Sequence, residues 1–158
     1  MSQKIASSTP EELGVLIKAV QTVLHQRMDE VLRPMGLTVS QYACLQNLHD
    51  TPQISSSDLA RRTFVSRQSM NVLLRGLERQ GLVERAGGPG PRRELGAVLT
   101  ADAERLLKRA EVAVAGVAER MAATLVPGDR DELVRMLSAC RDALLSLSGP
   151  QRPPSESR

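Results

Sequence analysis

Apolar residues recur at helical spacing in six stretches of this chain, and each stretch follows a small polar residue suited to capping a helix. The first helix is predicted over Pro10–Arg33, behind Thr9, with Leu13, Leu16, Ile17, Val20, Leu24, Val31 and Leu32 as its stripe. Pro10 takes the first helical position and Glu12 the third; Pro34 and Gly36 end it. The second follows Thr38, with Gln41 at capping-box spacing and Tyr42, Leu45 and Leu48 on one face, and stops before Thr51-Pro52. A short third helix, Ser56–Arg62, is capped by Ser55 and buries Leu59 and Ala60. The fourth, Arg67–Gln80, is capped by Ser66, turns Met70, Leu73, Leu74 and Leu77 inward, and ends at Gly81.

The pattern then changes. Leu82–Arg85 and Glu94–Leu99 read as two arms of a hairpin, because the Gly87–Pro91 segment between them forbids helix and favours turns. A fifth helix, Ala101–Leu125 behind Thr100, carries Leu106, Leu107, Ala110, Val114, Val117, Met121 and Leu125. A sixth, Arg130–Leu147, is expected to start from Asp129-x-x-Glu132 and shows Leu133, Leu137, Cys140 and Leu144. Residues 148–158 are Pro/Ser-rich and read as a disordered tail. The fold class is therefore mainly α with a small β-hairpin wing: a winged helix-turn-helix lobe (residues 37–99) on a helical dimerisation region (residues 10–36 and 100–147). The long first, fifth and sixth helices carry more apolar surface than the short middle elements can cover, which calls for a second copy of the chain.

Charge sharpens this picture. Net charge is only +3 over 158 residues. Residues 38–99 hold eight Arg against five acids, whereas both flanks are balanced, so the excess sits on the helix-turn-helix segment. Double-stranded DNA is the expected partner. With one Tyr, one Phe and no Trp, the chain lacks the stacking platforms of single-strand binders. The fourth helix opens on Ser66, Arg67, Gln68 and Ser69, a polar tip suited to a major groove. Arg67 can bond a guanine edge, and Gln68 or Asn71 an adenine edge. Arg61, Arg62 and Arg75, with the hydroxyls of Ser55, Ser56 and Thr38, are placed to meet phosphates.

Other chemistry is poorly supported. Gly87–Gly90 has no following Lys-Ser/Thr and opens no helix, so it is not a phosphate loop; His25 and His49 are near no candidate nucleophile in sequence. Neither an enzyme nor a cofactor or metal site is expected. Cys44 and Cys140 are far apart in apolar surroundings and read as buried, inert thiols. No membrane span or secretory signal is evident, which points to the cytoplasm.

Several segments together resemble the MarR family of bacterial transcription regulators. They are Leu37-Thr38-x-x-Gln41, Leu59-Ala60, Leu73-x-x-x-Leu77-Glu78-x-x-Gly81-Leu82-Val83-Glu84-Arg85 and Leu99-Thr100. The resemblance spans residues 10–147 and implies a homodimeric repressor that reads a pseudo-palindromic operator. It also implies that Arg92 and Arg93 on the wing reach the adjacent minor groove. The chain departs from the family pattern at Pro91, where an Asp that would brace the wing Arg is common, and at Gly76, where a basic residue is common and Arg75 stands beside it. A small anionic or aromatic effector is implied in a crevice walled by the first, second and fifth helices, with His25, Met28, Tyr42 and Leu45 as candidate contacts. The alternatives are a winged-helix adaptor that binds protein instead of DNA, and a thiol-based redox sensor.

Overall fold

The computed structural model describes residues 8–85 and 96–147. Among them are six α-helices: α1 (Pro10–Leu32), α2 (Val39–Asp50), α3 (Ser56–Arg62), α4 (Arg67–Arg79), α5 (Ala101–Ala122) and α6 (Pro127–Ser146). A single 3-10 turn, Arg33–Met35, follows α1. Strands β1 (Val83–Arg85) and β2 (Ala97–Leu99) pair antiparallel, with Val83 opposite Leu99 and Arg85 opposite Ala97. The chain divides into two compact units after Val117. The expected hairpin tip, Arg92, Arg93 and the expected 148–158 tail lie outside the described residues.

Local chemistry explains where the helices begin. Thr9 and Thr38 each accept from the backbone N–H three residues on (both 3.2 Å), and Glu12 and Gln41 accept in return from the cap N–H (both 2.9 Å). At α3 the reciprocal bond is replaced: Ser55 Oγ accepts from the Asp58 N–H at 3.1 Å and donates to the Asp58 carboxylate at 2.7 Å. Helix α6 corrects an expectation. It begins at Pro127, three residues earlier than expected, and Val126 caps it without a side-chain bond. Proline's fixed φ suits the first helical position, so Asp129 becomes a first-turn acid favourable to the helix dipole.

The end of α4 is equally local. Gly81 has φ +70, its N–H bonds to the Glu78 carbonyl at 3.0 Å, and the Leu82 N–H reaches the Leu77 carbonyl at 3.0 Å. This closure points the chain straight into β1. The same pair of bonds closes α3, but with Phe64 (φ 56) in the left-handed position: Phe64 N–H to Arg61 O at 3.3 Å and Val65 N–H to Ala60 O at 3.0 Å.

One aliphatic core holds α2, α3, α4, the sheet and the start of α5 together. Leu32, Leu45, Leu48, Leu59, Met70, Leu77 and Leu107 are among its largest fully buried side chains. Cys44 is buried beside Met70, with the two sulfurs 4.0 Å apart. Gln53 donates from its N–H to the Ala97 carbonyl at 3.3 Å and so lines the edge of the sheet. This close approach needs Gly96: a Cβ there would stand 2.1 Å from the Gln53 carbonyl carbon.

Much apolar surface stays uncovered. On α1, Leu13, Leu16, Ile17, Val20 and Val23 are exposed and only Leu32 is buried. On α6, Leu133, Val134, Met136, Leu137, Leu144 and Leu145 are exposed. Cys140 lies on this uncovered helix and is exposed, correcting the expectation of two buried thiols. No helix among the described residues is long and apolar enough to cross a membrane.

Candidate nucleic-acid interface

Helix α4 has two faces of opposite character. Met70, Leu74 and Leu77 are buried, which fixes the helix against the core. The opposite face presents Ser66, Arg67, Gln68, Ser69, Val72, Arg75 and Arg79, all exposed, with Asn71 at its margin. Rigid anchorage on one side and free hydrogen-bonding groups on the other is what a reading helix requires.

The tip is held by its own side chains. Ser66 Oγ accepts from the Ser69 N–H at 3.0 Å and donates to Ser69 Oγ at 2.8 Å. Its hydroxyl is therefore committed to the cap, and Ser69 offers the freer one. Among the described residues Arg67, Arg75 and Arg79 form no ion pair, so their charge faces solvent. The preceding helix is different. Arg61 pairs with Asp58, and Arg62 donates to Thr51 Oγ1 at 2.9 Å. Both remain exposed, but their guanidinium groups are oriented by these partners.

The remaining phosphate candidates divide. The Thr38 and Ser55 side-chain oxygens cap α2 and α3, and Ser56 is half-buried at the start of α3. Two apolar groups beside the polar tip escaped the sequence reading. Val72 is 61% exposed in the middle of the polar face of α4, and Phe64 is 75% exposed in the turn before it. The signal available for Phe64 was a bulky residue where a helix-turn-helix turn calls for glycine. The left-handed backbone costs an L-residue about 1–2 kcal/mol.

A crevice of about 210 Å³ lies behind the tip, lined by His25, Val39, Ser40, Ala43, Thr63, Val65 and Leu73. Of the four effector contacts expected from sequence, it includes His25. Tyr42 and Leu45 are core residues, 4% and 0% exposed, and Met28 packs against that core. Burial, then the Glu111 carboxylate, push the Tyr42 hydroxyl above its ordinary pKa, against a hydrogen bond from Gln46. Ser40 and Thr63 supply polarity that the sequence reading did not assign to a crevice. The Thr63 hydroxyl donates to the Leu59 carbonyl at 2.8 Å. Burial pushes the Cys44 thiol up to about 12, the opposite of an activated thiolate.

Comparison with known proteins agrees with this architecture. Residues 35–94, which include α2–α4 and β1, match the model of the MarR family. The HTH-type transcriptional repressor Rv2887 of Mycobacterium tuberculosis is 40% identical over 125 residues, spanning 79% of this chain and 90% of that one. The crystal structure of Rv2887 in complex with DNA superposes with a TM-score of 0.69 at 38% identity, covering 84% of this chain and 98% of that one. Its complex with salicylic acid superposes with a TM-score of 0.67 at 38% identity, covering 86% and 99%. With a relative this similar over most of both chains, the chain belongs to the MarR family of transcriptional regulators.

Proposed function

We propose that this protein is a dimeric, sequence-specific DNA-binding repressor whose grip on a pseudo-palindromic operator is released by a small aromatic or anionic compound. The observation that carries this reading is the exposed polar tip of α4, mounted on buried Met70, Leu74 and Leu77, with Arg67 and Arg75 exposed on the same face. Arg67, Gln68, Ser69 and Asn71 read base edges, and Val72 suits a thymine methyl. Arg75, Arg61 and Arg62 meet phosphates, and Arg92 and Arg93 reach the adjacent minor groove. The crystal structure of Rv2887 with DNA supports DNA binding as the activity.

Residues 10–36 and 100–147 act as the dimerisation region. The uncovered apolar positions of α1 and α6 support this, since exposed patches of that extent mark interaction surfaces. Two reading helices related by a two-fold axis then meet half-sites about one helical turn apart. The dimer acts in the cytoplasm and is not an enzyme; occupancy of a promoter is its output.

The effector belongs in the crevice at His25, Ser40 and Thr63. Its 210 Å³ falls below the ~300–1,000 Å³ of drug-sized pockets, so a single-ring compound suits it. Salicylic acid bound to Rv2887 is of that size class. A ligand there presses on Thr63 and Val65, immediately before Ser66, and so on the placement of α4. Release follows if the ligand prefers the displaced arrangement.

Selection of duplexes from random-sequence DNA tests the reading. A recovered consensus with two related half-sites, released by salicylate, is the expected result. Recovery of no sequence at low salt overturns it and leaves the protein–protein adaptor.

A further inference from the structure

Nothing in the fold calls for a phenylalanine between α3 and α4. Phe64 is the sole phenylalanine of the chain. It is 75% exposed and adopts φ 56. Glycine would satisfy the same turn without placing a Cβ against the following carbonyl or a ring in water. The residue is thus doubly unfavourable in the isolated chain. That combination is understood when a partner covers the ring.

The surroundings say what kind of partner. Arg61 and Arg62 precede the ring in sequence, and Ser66 and Arg67 follow it, all exposed. Arg61 and Arg67 also border a depression between α3 and α4, with Ser57, Ala60 and Val65. An exposed apolar group in a segment that also carries Arg62 and the solvent-facing Arg67 complements a polyanion that offers carbon between its phosphates. Duplex DNA does so through thymine 5-methyl groups and deoxyribose. The mount is rigid, because two backbone bonds, Phe64 to Arg61 and Val65 to Ala60, close the turn.

We infer that Phe64 is a DNA-contacting residue whose ring seats on apolar carbon of the duplex beside the bases read by the first turns of α4. This rests on the DNA-binding reading above. The contact carries no charge, so it adds affinity without releasing counterions. It also explains why a left-handed backbone position holds an aromatic residue.

The test uses the full-length protein and the duplex recovered by selection. Phe64→Ala removes the ring but keeps a Cβ in the turn; Phe64→Gly removes the ring and relieves the backbone. Both are expected to lose roughly tenfold in affinity. The slope of affinity against salt should stay at the wild-type value. The Phe64→Gly variant should unfold at or above the wild-type temperature. Replacing thymine by uracil in the duplex separates the two sources of carbon. A penalty seen in the wild type and absent in Phe64→Ala assigns the ring to a thymine methyl; an equal penalty in both assigns it to deoxyribose. Wild-type affinity in Phe64→Ala overturns the inference, as does a loss confined to Phe64→Gly, which would trace to backbone stiffness. Failure to recover any duplex would strike the DNA-binding reading itself.

Discussion

The hydroxyl of Thr100 donates to the carbonyl of Gly81 at 2.8 Å while accepting from the Ala103 N–H at 3.2 Å. One side chain thus ties the end of α4 to the start of α5, and the Thr100 N–H adds a bond to the Leu82 carbonyl at 3.1 Å. Helices α4 and α5 share a joint rather than a loose linker. Thr100→Val keeps the shape of the side chain and removes both hydroxyl bonds. A loss of about 1–2 kcal/mol in urea unfolding is expected. An unchanged midpoint would show that water replaces the bonds at no cost.

Gly96 provides a second structural check. Because a Cβ there would overlap the Gln53 backbone, Gly96→Ala should push the sheet edge away from the end of α2. Overpacking of this kind costs about 1–3 kcal/mol. Thermal unfolding of the variant beside Gly76→Ala, whose Cβ meets nothing within 4 Å, gives the comparison. Equal melting of the two would refute the close approach.

The exposed arginines of α4 should separate by role. Arg67→Ala, at the base contact proposed above, should weaken operator binding by about 1–3 kcal/mol while relaxing preference at one position. Arg75→Ala should weaken all duplexes alike and lower the salt slope by about one. Titrations across a range of salt concentrations read both. Identical behaviour of the two variants would contradict the division.

Dimerisation should fail when charge is placed on the uncovered faces. Ile17→Glu and Leu137→Glu each put a carboxylate where an apolar residue is exposed in the single chain. Sedimentation should report a shift from dimer to monomer, accompanied by loss of operator binding. A wild-type protein that sediments as a monomer at micromolar concentration would remove the basis for this expectation.

Alkaline pH offers a test that needs no partner. The Cys44 thiol rises from 9.0 to about 12 in the fold because burial disfavours the thiolate. The folded state then holds a proton that the unfolded chain releases, so stability is full below pH 9 and falls as pH climbs towards 12. Each unit in that window costs about 1.4 kcal/mol for this group. Cys44→Ala should flatten this part of the profile. At pH 8, Cys44 should react with a thiol reagent only after unfolding.

What the sequence made legible was mostly local. Thr9, Thr38, Ser55, Ser66 and Thr100 all accept the backbone N–H bonds expected of helix caps, because the cap and its partner lie three residues apart. The start of α6 went astray because Pro127 and Asp129 offer competing signals two positions apart, and Pro fits the first helical position better. Periodicity showed which face of α6 is apolar but not whether anything covers it, hence the misplaced Cys140. The same limit applies to the crevice. Tyr42 and Leu45 share the apolar face of α2, and only packing distinguishes a core face from one that borders a cleft. Val72 and Phe64 were passed over because apolar residues next to a polar tip look like packing until their exposure is known.

The near absence of aromatic residues has a practical corollary. With one tyrosine and no tryptophan, the ultraviolet emission of the whole protein comes from a single ring buried among α2 neighbours. Tyr42 therefore works as an intrinsic optical reporter of winged-lobe integrity, free of overlapping signals from the long flanking helices. A fluorescent guest such as salicylate could be followed directly, without a tryptophan background to subtract.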